Sequence, residues 1–190
     1  MKHKLLMLTV ALSCTIAGNA MALTKEEYKV GKDRISADYK ASKQKCDGLK
    51  SNAKDICESE AKGTEKIAKA ELESQYKPTP RNMEKVGFAK ADAAYDIAKE
   101  KCDDMAGNAK DVCVKDAKAA QVKAKEDAKV AKASADVNKA NSEKVADASQ
   151  DANKAKNEAD YKAAKERCDA LAGAPKDTCV NDARAKFGMK

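Results

Sequence analysis

Tryptophan is absent, phenylalanine occurs twice, and the single histidine, His3, stands at the very start of the chain. Proline is found three times and glycine eight times in 190 residues. Leu, Ile, Val and Phe supply only 19 of the 168 residues that follow position 22, far below a globular share. These shortages exclude a large hydrophobic core. Without histidine beyond residue 3, imidazole bases, imidazole ligands and Ser-His or Cys-His couples are excluded from the body of the protein. The close Cys-x-x-Cys spacing of thiol oxidoreductases and zinc sites is also missing. What fills the chain instead is Ala, Lys, Asp and Glu, and this abundance of helix formers favours long solvated helices over disorder.

The N-terminus, MKHKLLMLTVALSCTIAGNAMA, has Lys2 and Lys4 ahead of an apolar stretch from Leu5 to Ala17, then a small-x-small ending at Ala20, Met21 and Ala22. That is the pattern of a secretory signal peptide over residues 1–22, cleaved before Leu23. The apolar run is shorter than the roughly 18 residues of a spanning anchor. Lipidation at Cys14 is a competing route, but Ala11, Leu12 and Ser13 make a poor lipobox. The mature chain would carry 36 basic and 31 acidic residues, a net charge of +5, and six cysteines. Export to the periplasm or beyond places those thiols in an oxidising compartment, where disulfides are expected.

Three stretches align: YKASKQKCDGLKSNAKDICESEAK from Tyr39, YDIAKEKCDDMAGNAKDVCVKDAK from Tyr95, and YKAAKERCDALAGAPKDTCVNDAR from Tyr161. Each has Tyr seven before the first Cys, Asp directly after it, Leu or Met three after it, and Lys-Asp shortly before the second Cys. Internal repetition at this period means an array of like modules. Midway between the cysteines, Gly107 and Gly173 suit the left-handed residue that closes a helix, with Ser51 a poorer substitute. Asn52 and Asn108 suit the N-cap of the next helix, Pro175 the position directly after that cap, and Asp55, Asp111 and Asp177 its third position. Each unit therefore reads as helix, tight turn, helix.

In an antiparallel hairpin, residues equally distant from the turn face one another. This predicts disulfides Cys46–Cys57, Cys102–Cys113 and Cys168–Cys179, although six cysteines allow 15 connectivities. The same counting sets Ser42 opposite Ala61, Ala98 opposite Ala117 and Ala164 opposite Ala183, pairs small enough for close approach. Tyr39, Tyr95 and Tyr161 fall opposite Thr64, Ala120 and Lys186 as apolar lids across the gap. Along the second unit, Phe88, Ala91, Tyr95, Ala98, Cys102 and Met105 step by three and four on one expected face.

The expected fold is all-α: three disulfide-clasped antiparallel helical hairpins joined by long helices, elongated rather than globular. Hairpin 1 spans 23–76, a proline-rich break 77–80, hairpin 2 spans 81–130, and hairpin 3 spans 158–190. Between Asn108 and Ala172 there is neither glycine nor proline, and residues 131–157 are expected to form a helical or frayed linker. Its sizeable apolar residues, Val130, Val137 and Val145, give one thin stripe that could at most support a loose coiled coil.

The Ala/Lys/Asp/Glu composition of residues 115–165 resembles the long periplasmic helix of TolA-type envelope proteins. The phrase CDDMAGNAKDVC resembles a repeat of small exported proteobacterial proteins rich in Ala and Lys, and segment 117–160 is similar to lysine- and alanine-rich repeats of desiccation-stress proteins. The first likeness implies an envelope setting, the second carries no activity, and the third implies a stress role, although the stress proteins lack cysteine-stapled hairpins. Segment 117–160 holds nine lysines against eight acids, interleaved, which is not the basic face of a nucleic-acid binder. No catalytic residue, cofactor or metal is expected. The expected role is a non-enzymatic envelope scaffold or interaction protein, with an envelope protein or an anionic envelope polymer as partner. The alternative is a stress-protective polyampholyte without a defined partner.

Overall fold

The structure, a computed structural model, describes residues 22–136 and 142–189. Residues 1–21 of the signal-peptide segment, Cys14 among them, lie outside the described residues. Six helices are found among them: α1 (Lys25–Cys46), α2 (Ser51–Tyr76), α3 (Pro80–Cys102), α4 (Gly107–Ala135), α5 (Ser142–Cys168) and α6 (Gly173–Phe187).

Their ends follow from local chemistry. Thr24 caps α1: its hydroxyl accepts from the Glu27 N–H, while the Glu27 carboxylate accepts from the Thr24 N–H. Such a box satisfies backbone donors that the first turn leaves without helical partners. Thr79 accepts from the Asn82 N–H at the head of α3, and Pro80 occupies the first helical position, where its missing N–H costs nothing. Gly188 closes α6 in the left-handed conformation.

Among the described residues, helices pack only against their neighbours in the chain: α1 with α2, α2 with α3, α3 with α4, α4 with α5 and α5 with α6. Every seam is antiparallel. Lys66 pairs with Asp96 and Lys90 with Glu71 between α2 and α3; Lys125 pairs with Asp92 and Lys132 with Glu84 between α3 and α4. In each seam one number rises as its partner falls. As a result α1, α3 and α5 run parallel, and all three disulfide-bonded turns lie at the same end.

The buried apolar side chains are small: seven alanines, the cysteines Cys46, Cys102 and Cys168, and Leu72. Stability therefore rests on close backbone approach. A Cβ built on Gly63 would lie 2.9 Å from the Cβ of Ala93, and one on Gly87 would lie 2.6 Å from that of Ala128. These glycines are gaps into which a neighbouring helix settles.

The stretch expected as a linker, 131–157, is organised differently. Residues 131–135 finish α4, and residues 142–157 begin α5, which returns along α4 instead of leading away from it. Positions 137–141, Val137 among them, lie outside the described residues. The seam is built from Ala119, Ala152 and Ala163, all at most 5 % exposed, with the ion pairs Lys123–Asp160 and Lys156–Asp127 at its rim. A search for large apolar residues overlooks a seam made of alanine and charge. The helices assigned to hairpins 2 and 3 are correspondingly longer than the boundaries 81–130 and 158–190 allow.

Candidate functional site

The three turns share one geometry. Disulfides join Cys46 to Cys57, Cys102 to Cys113 and Cys168 to Cys179, each with Cα atoms 5.7 Å apart. After the first Cys, the N–H of Leu49, Met105 or Leu171 donates to that Cys carbonyl at 3.0 Å, and the following helix opens two residues later. Ser51, Gly107 and Gly173 take φ of 49°, 58° and 62°. They start the second helix rather than close the first, which ends at the cysteine in an ordinary right-handed conformation.

That placement moves the cap assignments. The N-cap positions are Lys50, Ala106 and Ala172. Asn52 and Asn108 are inside the helix, Pro175 is its third residue instead of its first, and Asp55, Asp111 and Asp177 lie beyond the third position. The polar work of the turn is done by other residues. Lys110 Nζ holds the Asp103 carboxylate at 2.8 Å, and Lys176 holds Asp169 at the same distance. These hydrogen bonds keep both aspartates below the usual carboxylate range and raise both lysines. In the first unit Lys54 instead reaches Glu58 at 4.0 Å.

The tyrosines are half-buried, and two of them are met by long basic side chains that start two residues from the position expected opposite. Lys118 lies over the Tyr95 ring at 5.1 Å, and Arg184 Nε donates to the Tyr161 hydroxyl at 3.4 Å. The mirror register itself holds far from the turns, since Gly31 lies against Leu72 and Gly87 against Ala128, each pair equally distant from its disulfide. Of the small residues expected to face one another, Ala61 and Ala183 are buried. Met105 does not continue the apolar face of α3, because it lies in the turn and is 47 % exposed.

Freed from capping, the asparagines link one unit to the next. Asn52 Nδ2 donates to the Glu100 carbonyl at 2.8 Å, and Asn108 Nδ2 donates to the Glu166 carbonyl at 3.0 Å. Each carbonyl also accepts from its own turn, from the Asp103 or Asp169 N–H at 3.1 Å, so both lone pairs are used. The third unit has Ala174 at this position.

Charges at the seams recur with equal regularity. Glu60 meets Lys101 and Asp116 meets Arg167, each acid three residues after the second Cys and each base one before the next unit's first Cys. Glu71 meets Lys90 and Asp127 meets Lys156, at fourteen after and twelve before. Between these pairs the signs invert, with Lys66 on Asp96 and Lys123 on Asp160. Both unit-to-unit seams thus set acid, base, acid on one helix against base, acid, base on the other. Single exposed pairs contribute about 0–1 kcal/mol each, so their weight lies in fixing register and partner choice.

The grooves are shallow. One of about 740 Å³ lies between the segment that precedes α1 and the α2–α3 turn, lined by Leu23, Gln75, Pro78, Met83 and Val86. Another lies along α4, α5 and α6 beside Cys168 and Cys179. Among the described residues no group of three or more His, Cys, Asp or Glu is placed to hold a metal ion, and no helix is long and apolar enough to cross a membrane. No protein family, curated protein or solved structure matches the chain.

Proposed function

We propose that the chain is an exported, non-enzymatic helical protein that works through its surfaces, as a scaffold or interaction protein of the cell envelope. The observation that carries this reading is the recurring order of charges at the unit seams, which gives the helices a means of choosing partners and register. Three disulfides and the lack of a membrane span among the described residues are compatible with a soluble protein outside the cytoplasm. Cleavage before Leu23 would leave the Thr24 capping box whole, so the mature chain keeps the start of α1.

Crosslinking pull-down of the mature chain from envelope extract tests the reading. A reproducible partner is expected. If the chain instead protects unrelated proteins from aggregation at stoichiometric amounts and captures nothing reproducible, it is a protective polyampholyte. Turnover of a substrate that stops when one carboxylate is replaced would overturn both.

A further inference from the structure

We infer that the outer face of α1 is a docking surface for an amphipathic helix of another protein, laid antiparallel to α1 and carrying the charge order of α2 and α4. This deepens the interaction reading above and rests on it.

The inference comes from comparing equivalent helices. Counted back from the first cysteine of each unit, the face of α5 that receives α4 carries Lys156, Asp160 and Arg167 at twelve, eight and one. The same positions on α1 are Arg34, Asp38 and Lys45, with the same signs in the same order. The apolar positions match as well. Ala152 and Ala163 on α5 are 1 % and 3 % exposed under α4, whereas their counterparts on α1, Val30 and Ala41, face solvent, Val30 at 67 %. Even the backbone acceptor is repeated, since the counterpart of the Glu166 carbonyl, on Gln44, accepts from its own turn through the Asp47 N–H. Among the described residues only α2 packs on α1, against the side that carries Gly31 and Cys46. With no described helix across from them, Arg34 and Asp38 pair only with each other, at 3.8 Å, with side chains 82 % and 72 % exposed, so little is lost when an incoming helix takes them over.

The occupant is specified by the two helices that cover such a face elsewhere. α4 has Asn108, an acid eight residues on (Asp116), a base seven further (Lys123) and an acid four further (Asp127). α2 follows the same order with steps of eight, six and five, through Asn52, Glu60, Lys66 and Glu71. A second copy of this chain does not supply it. Its α2 and α4 are already covered by α3 and α5, and α6 has Ala174 for the asparagine and Gly188 and Met189 where the base would fall, retaining only the acid Asp182. The partner is therefore a helix of a different protein with the order Asn, acid, base, acid.

The test uses the disulfide-intact mature chain and, as probe, a labelled peptide with the sequence of residues 107–135 and Cys113→Ser. Saturable binding is expected, weakened at least tenfold by Arg34→Glu with Lys45→Glu in the chain. It should return when the peptide carries Asp116→Lys with Asp127→Lys. Unchanged circular dichroism of the chain variant shows that the fold is intact. Binding that ignores the reversal, or none up to about 1 mM, overturns the proposal. Self-association of the wild-type chain that the same reversal abolishes also overturns it, in favour of a second copy as occupant. The broader reading is tested apart from this one: if the reversed chain still captures its envelope partner, the α1 surface is wrong and the interaction role stands.

Discussion

Removing the disulfides one at a time should separate two effects that a global melt would merge. All three close loops of the same length, with cysteines 11 apart. In the chain-entropy treatment each restrains the unfolded chain by about 2.8 kcal/mol. Differences among Cys→Ser double variants must therefore arise from what else holds each helix. In the middle unit, α3 and α4 are each flanked by a further helix, α2 or α5, and tied to it by an asparagine and ion pairs. Helix α6 has one neighbour, 15 residues and a single buried side chain, Ala183. An isolated helix of that length is marginal in water. In Cys168→Ser with Cys179→Ser, α6 should leave α5 locally while α1 to α5 stay folded. Amide hydrogen exchange should then show residues 173–187 losing roughly a hundredfold of protection, the equivalent of about 2.8 kcal/mol. Cys102→Ser with Cys113→Ser should keep full helicity at 25 °C and lower the midpoint of a single cooperative transition. The reasoning fails if α6 keeps its protection without the bridge, or if both variants lose the same helicity.

Gly87→Ala should destabilise by about 1 kcal/mol: the new methyl group meets the backbone-anchored Cβ of Ala128, and overpacking of about 1–3 kcal/mol outweighs the roughly 1 kcal/mol gain in helix propensity. Gly48→Ala, where nothing lies within 4 Å, is the neutral control in the same urea titration. Asn108→Ala should cost about 1 kcal/mol through the lost bond to the Glu166 carbonyl, while Ala174→Asn should change nothing because no helix lies across from it; equal effects of the two would contradict the seam assignment. The pH dependence has two limbs. Asp103, Asp169 and Glu27 are held below their usual range, so their contribution is complete above the ordinary carboxylate pKa of about 4 and is lost as pH falls through the lowered values. Lys110, Lys176 and Tyr28 are raised, so their contribution is complete below their ordinary values near 10 and is lost as pH rises through the raised ones. Melting temperature should thus be flat between about pH 5 and 9, and Asp103→Asn with Asp169→Asn should make the acid limb shallower.

The hairpins were legible because their signals are local. A cysteine on either side of a turn, a residue at the midpoint able to take positive φ, and Thr24 or Pro78 and Pro80 at the borders each act within a few residues. Which helix end the left-handed residue serves was not legible, because Gly107 can either close α3 or open α4, and only the backbone path chooses. The reversal between α4 and α5 was hidden for another reason. No proline or glycine marks it, and the seam it creates consists of Ala119, Ala152, Ala163 and paired charges, which a solvated single helix would equally contain. The function of Asn52 and Asn108 was missed because a side chain beside a turn suggests a cap, and its true acceptor lies 48 or 58 residues away. The charge positions counted from the cysteines could have been found in the sequence, since they recur at fixed offsets. Their pairing could not, as any helix this rich in Lys, Asp and Glu offers many such offsets.

Sequence alone determined that this protein is built from helices, where three of its turns lie, and which sulfurs meet across them. Those outcomes depend on interactions within about a dozen residues, where chain connectivity leaves few alternatives. Tertiary structure decided which hairpins pack together, in what register, and that the face of α1 is left uncovered while its equivalents on α3 and α5 are covered by α2 and α4. With alanine and glycine supplying the contacts, apolar pattern does not single out one seam. Register is set instead by charges and asparagines that find partners only once the helices lie side by side.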